Sequence, residues 1–177
     1  TAGTGGTQTL NVSGTGRYIR MYGTTRATPY GYSIWEFQAF SSSGGGSGCG
    51  TANIALNQPT TASSIQSASF PASAATDGNT GTRWSSAFSD PQWLQVDLGS
   101  SQSICKVVLD WEAAYAKAFQ IQTSSDGSTW TTIYSTTAGT GGTQTLNVSG
   151  TGRYIRMYGT TRATPYGYSL WEFQVFS

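Results

Sequence analysis

The clearest pattern along the chain is alternation of period two. Across residues 104–112 the side chains of Cys105, Val107, Leu109 and Trp111 fall on one face of an extended backbone, and Lys106, Val108, Asp110 and Glu112 on the other. One face suits a core and the other a wetter surface. Similar short apolar or alternating runs, bounded by Gly, Ser, Asn and Asp, predict strands at Asn53–Leu56, Gln92–Leu98, Ile104–Asp110, Ala118–Thr123, Thr131–Tyr134, Thr143–Val148, Tyr154–Tyr158 and Tyr168–Phe176. No stretch has a convincing helical period. About eight antiparallel strands predict an all-β, two-sheet jelly-roll sandwich, with loops at one end as the natural place for a site.

The pattern repeats. Residues 1–41 recur as residues 137–177 at a constant offset of 136, with Ile34 against Leu170 and Ala39 against Val175 as the only differences, so 39 of 41 positions match. Such a segment holds about three strands and is too small to bury a core of its own. The simplest reading makes residues 1–41 the tail of a preceding module of the same kind, residues 42–49 a Ser/Gly tether, and residues 50–177 one complete domain. Either copy could supply the last strands of that domain, but both cannot at once. Residues 1–41 are therefore expected to pair in trans or to enter a strand exchange with a second chain.

Composition narrows the chemistry. Of 177 residues, 23 are aromatic and 23 are glycine, a mixture suited to short strands and small-residue turns. Nine Lys and Arg balance eight Asp and Glu, so the net charge of +1 offers no field for nucleic acid. There is no histidine, which removes the imidazole base, the Ser-His and Cys-His nucleophile pairs and the commonest zinc ligand. No apolar run approaches the roughly 20 residues of a spanning helix, and Thr1 follows no leader, as expected for a piece of a processed soluble protein. Cys49 and Cys105 stand 56 residues apart. In an extracellular chain they would form a disulfide contributing roughly 3–4 kcal/mol; in a cytosolic one they would be buried thiols.

The order of motifs is more specific: NIALNQPTTASS at 53–64, AATDGNTGTRWSS at 74–86, DPQWLQVDLG at 90–99, ICKVVLDWE at 104–112, YAKAFQIQTSSDGSTWTTIY at 115–134 and RYIRMYGTTRATPYGYSLWEFQVF at 153–176. Together they resemble the discoidin, or galactose-binding-like, fold shared by coagulation-factor C domains and family 32 carbohydrate-binding modules. The WEAAYAK and GYSLWEFQV segments are similar to tandem modules appended to secreted bacterial glucanases and chitosanases. The resemblance implies a secreted, non-catalytic module that targets a polysaccharide hydrolase to β-glucan or chitosan-type polymer. The alternative is a discoidin module that binds protein or membrane lipid, but its loops offer few basic residues beside Phe70 and Phe88, which disfavours a membrane.

Asp77-Gly78 is an Asx-type turn signal, continued by Asn79, Thr80, Gly81 and Thr82 into the kind of polar loop that hard cations bind. The resemblance implies a structural Ca²⁺ held by Asp77, Thr82, the carbonyls of Ala74 and Asn79, and Glu172 from the last strand. The bland alternative is a metal-free turn with Glu172 bonded to an arginine or to backbone.

A sugar site needs apolar walls for pyranose faces and planar polar groups for hydroxyls. Candidates are Gln66 and Phe70, Arg83 and Phe88, Glu112 and Tyr115, and Tyr166 and Tyr168 on the Pro165-Gly167 turn, where exposure is expected. By resemblance to the chitosanase-linked modules, Gln66, Arg83, Phe88 and Glu112 contact ligand. Related modules carry a carboxylate where Gln66 stands, which weakens the case for a cationic sugar. Arg83 has a competing role as an ion pair to Asp110 or Glu112, and Trp93, Trp111, Trp130 and Trp171 read as packing. Asp110 and Glu112, two apart, invite a glycosidase reading, but the scarcity of acids, the lack of histidine and a family that binds argue against an enzyme.

Overall fold

The computed structural model describes residues 6–8, 10, 18–38 and 49–177. The chain divides into two compact units, Thr1–Ser42 and Ser43–Ser177.

The second unit contains seven strands: β1 Thr60–Ala62, β2 Trp84–Ser85, β3 Gln92–Trp111, β4 Ala116–Ser124, β5 Thr131–Thr136, β6 Thr143–Arg162 and β7 Ser169–Phe176. A single 3₁₀ turn spans Ala72–Ala75. All pairings are antiparallel, in the order β2-β7-β3-β6-β4-β5, with β1 on the first half of β3. Two layers arise because β3 and β6 run through both. Gln92–Asp97 pairs with β1 and the second half of β6, which continues to β4; Lys106–Trp111 pairs with β7, and up to Asp110 also with the first half of β6. The register of β3 on β6 shifts between Asp97 and Gln102 and again between Ile104 and Lys106, where the strands turn from one layer to the other. The buried side chains of Leu94 and Val96 consequently share one core with Val107 and Leu109, together with Phe119, Ile155, Met157, Phe173 and Val175. Residues so far apart on one flat strand could not meet.

This corrects two boundaries read from the pattern. Gln92–Leu98 and Ile104–Asp110 are one strand, as are Thr143–Val148 and Tyr154–Tyr158. Asn53–Leu56 is not a strand: the Asn53 side chain accepts from the Ala55 and Val175 N–H groups at 3.1 and 3.0 Å, and the segment closes as a turn ending at Asn57 with φ of 58°. Among the tryptophans, Trp111 is buried in the core, while Trp93, Trp130 and Trp171 are half-buried. Trp130 lies under the Arg156 guanidinium at 4.0 Å. Cys49 and Cys105 form a disulfide that anchors the entrance of the module to β3.

The first unit provides an internal comparison. Its described residues contain no strand, although 18–38 repeat 154–174 with one change, Ile34 for Leu170. Ladders need the partners β3 and β4, and local sequence supplies none. The tight turn does form in both copies. Arg26 Nη1 donates to Pro29 O at 3.0 Å as Arg162 Nη1 does to Pro165 O, and Thr28 Oγ1 accepts from Tyr30 N–H at 3.3 Å as Thr164 Oγ1 does from Tyr166. Tyr32 covers Gly23 as Tyr168 covers Gly159, each ring about where a glycine Cβ would stand, 2.5 Å from it.

Candidate functional site

Four loops are laced together at one end of the module. Gln66 N–H donates to Ser85 O at 2.7 Å, and Trp84 Nε1 to Ser64 O at 3.1 Å, joining the loop after β1 to β2. Ser86 N–H donates to Tyr168 O and Tyr168 N–H to Ser86 Oγ, both at 2.9 Å, joining the β2–β3 loop to the β6–β7 loop. The approach is so close that a Cβ on Gly167 would lie 2.5 Å from Ser86 O. Glu112 N–H donates to Ser169 O, Ser169 N–H to Ala114 O and Ala163 N–H to Tyr115 O, bringing in the β3–β4 loop.

Arg83 and Glu112 both root on Ser169. The Arg83 Nη1 donates to Ser169 Oγ at 2.7 Å, and its guanidinium lies 4.0 Å from the Phe70 ring centroid and 5.9 Å from that of Trp171. It has no carboxylate partner: among the described residues the ion pairs are Arg153–Asp97 and Arg162–Asp90. The pairing with Asp110 or Glu112 is therefore not made. Stacking on Phe70 holds the guanidinium plane while leaving donors over for a ligand. Glu112 Oε2 accepts the Ala114 N–H at 3.0 Å.

Phe88 and Tyr166, 49% and 61% exposed, form an edge-to-face pair with centroids 5.8 Å apart. The turn carrying Tyr166 is fixed from behind by two residues that sequence reasoning did not place in the site. Arg162 donates to Pro165 O at 3.0 Å, to Tyr166 O at 3.2 Å and to Asp90 Oδ2 at 3.2 Å, and the Tyr168 hydroxyl donates to Asp90 Oδ1. The signal for Arg162 lay in the repeated TRATPYGY turn, whereas nothing local marked Asp90. Tyr168 itself is a correction. It is fully buried against Gly159 and under Ser86, so it is a support and not a wall, and burial with the Asp90 carboxylate drives its phenol far above the ordinary tyrosine range. Gln66 is exposed at the rim, and Tyr115 is half-buried against Gly141.

The regular pleat that would align Asp110 and Glu112 on one strand face is broken. A bulge falls between Asp110 and Trp111, Asp110 Oδ1 accepts from the Thr143 hydroxyl at 2.8 Å, and Glu112 lies beyond the end of β3.

The polar loop after the 3₁₀ turn folds around Asp77. Its Oδ1 accepts the Asn79 N–H at 2.8 Å, Thr82 Oγ1 lies 2.7 Å from its Oδ2 and 2.9 Å from Asn79 O, and Gly78 takes φ of 76°, the left-handed region that favours glycine. Ala74, Asp77 and Thr82 line one open depression of about 480 Å³. Glu172 is 1% exposed, and neither carboxylate oxygen has a hydrogen-bond partner. Burial and the charge of Asp77 push its carboxyl up to about 7, against the opposing pull of the Gly78 and Asn79 N–H groups. The bond to an arginine or to backbone that the metal-free alternative called for is not made. Among the described residues no three His, Cys, Asp or Glu side chains converge, so a cation here would take two carboxylates and complete its shell with carbonyls or hydroxyls. An orphaned buried carboxylate facing a second one fits a hard cation.

The model of the F5/8 type C domain family matches residues 59–173, and the chain belongs to that family. It is similar to chitosan-binding module 1 derived from the chitosanase/glucanase of Paenibacillus sp. IK-5, with 53% identity and a TM-score of 0.69 over 71% of this chain and 99% of that one. Chitosan-binding module 2 from the same enzyme, solved in complex with chitotriose, is 51% identical with a TM-score of 0.68, over 71% of this chain and all of that one. The polysaccharide lyase 8 family protein HylA of Enterococcus faecalis is 38% identical over 76 residues, 43% of this chain, which spans 6% of the length of that relative.

Proposed function

We propose that residues 50–177 form a non-catalytic carbohydrate-binding module for chitosan-type or β-glucan polymer, with the sugar held at the loop end. The observation that carries this is the pairing, on one laced surface, of a guanidinium free of any carboxylate with an exposed aromatic corner, in a module 51% identical to one solved with chitotriose. Arg83 donates to sugar hydroxyls, Phe88 and Tyr166 pack on pyranose faces, and the Glu112 carboxylate attracts a glucosamine ammonium where it has one. Gln66, at the rim, contributes a neutral amide. The role is targeting: a modest site keeps an attached hydrolase near insoluble substrate, and tandem modules multiply residence by effective concentration. The disulfide suits an extracellular setting. Asp77 and Glu172, with Thr82 and the Ala74 and Asn79 carbonyls, hold a structural Ca²⁺ that neutralises the buried charge and fixes the loop beside β2.

Pull-down on chitosan, chitin and β-glucan tests the site. Arg83→Ala and Glu112→Ala should each weaken retention about 10-fold or more, the worth of one charge-assisted hydrogen bond. Retention that survives both substitutions in a folded protein excludes this surface.

A further inference from the structure

Strands β6 and β7 close the module by pairing with β2, β3 and β4. From them Ile155, Met157, Leu170 and Phe173 are completely buried, whereas their counterparts Ile19, Met21, Ile34 and Phe37 are 61%, 47%, 51% and 53% exposed. The first copy thus carries the same apolar side chains with their burial unrealised, and its turn is already formed. Connectivity permits the remaining step. Gly50 N–H donates to Ser177 O at 2.8 Å, so the place of the last residue lies beside the start of the module. Were Ser41 in that place, the eight residues 42–49 would link two points already in contact, with ample slack at about 3.3 Å per residue, and the Cys49–Cys105 anchor would be undisturbed.

We propose that Thr1–Ser41 replaces Thr137–Ser177 in cis, giving a minor, circularly permuted isomer of the same module in which the displaced second copy becomes the free tail. A short flexible tether sets an effective concentration on the order of millimolar, so the copy in the same chain outcompetes a second chain at micromolar protein. The two sequence differences set the balance. Val175 is fully buried, and Ala39 in its place omits two methyl groups, while Ile34 for Leu170 changes shape in a packed site. Together these favour the resident copy roughly 10- to 100-fold.

The test uses the full oxidised chain. Met157→Asp disables the resident copy. The module should remain folded and monomeric, with trypsin protection moving from Arg156 and Arg162 to Arg20 and Arg26, and with a folding equilibrium constant about 10- to 100-fold lower. Met21→Asp alone should leave the unfolding midpoint unchanged, and Met21→Asp with Met157→Asp should abolish folding. Leu170→Ile with Val175→Ala equalises the copies, so both cleavage patterns should appear at comparable intensity. The proposal is overturned if Met157→Asp unfolds the chain as completely as the double variant, or if it folds only as a concentration-dependent dimer.

Discussion

Glu172 offers a test whose sign reverses with the medium. Without a cation the carboxylate is buried beside Asp77 with both oxygens unpaired. Glu172→Gln keeps the shape and removes the charge, so in a chelator the variant should be at least as stable as the wild type, by up to about 1–3 kcal/mol, the penalty for an unsatisfied buried polar group. With calcium at 100 times its dissociation constant, linkage adds about 2.7 kcal/mol to the wild type. For a module of this size, 1 kcal/mol moves the melting temperature by about 4 °C, so calcium should raise it by about 10 °C. The variant, lacking one of two carboxylates, should respond far less, and the two melting curves should cross between chelator and calcium. Calorimetry or near-ultraviolet circular dichroism reads this directly. A wild type that melts at one temperature in both media, or a variant that responds to calcium as fully as the wild type, refutes the cation site.

Asp90→Asn retains an acceptor for the Tyr168 hydroxyl but removes the charge opposite Arg162. Looser support for Tyr166 should weaken oligosaccharide binding by about 3- to 10-fold in titration calorimetry, and unchanged affinity would show that the clamp does not position the wall. Acid should destabilise the module through Asp97, whose carboxyl is lowered chiefly by the hydrogen bond from Arg153, and Asp126, lowered chiefly by the Thr129 and Ser128 N–H groups. Both sit below their unfolded values, so their contribution is complete above about pH 4 and is lost as pH falls through the folded values. Asp126→Asn should accordingly lose stability at pH 7, and the gap to the wild type should narrow steadily as pH falls from about 4 toward 2 in thermal melts; a constant difference across that range would contradict the assignment.

What sequence could reveal divides by range. The period-two faces of β3, β4, β6 and β7 are local and were legible, and so was the Thr-Arg-Ala-Thr-Pro-Tyr turn, which forms in both copies with the same hydrogen bonds. Where β3 bends between Asp97 and Gln102 was not legible, because a polar stretch that interrupts alternation reads as a loop whether or not the ladder continues. The burial of Tyr168 escaped for a related reason: its setting on a Pro-Gly turn signals exposure, but its hydroxyl is claimed by Asp90, 78 residues away. The first copy makes the division concrete, since its described residues 18–38, all but identical to 154–174, hold the same turn but no strand. The candidate site lies wholly on the non-local side. Arg83 is aimed by Ser169 and Phe70, and Tyr166 by Arg162 and Asp90. Residue types could therefore nominate its members, but only the closed sandwich brings a guanidinium, a carboxylate and two aromatic walls to one end. A ligand held there reports on β6 and β7 being in place, and any exchange of one tail for the other must rebuild the Tyr166 wall, the Ser169 anchor and Glu172 from the incoming copy.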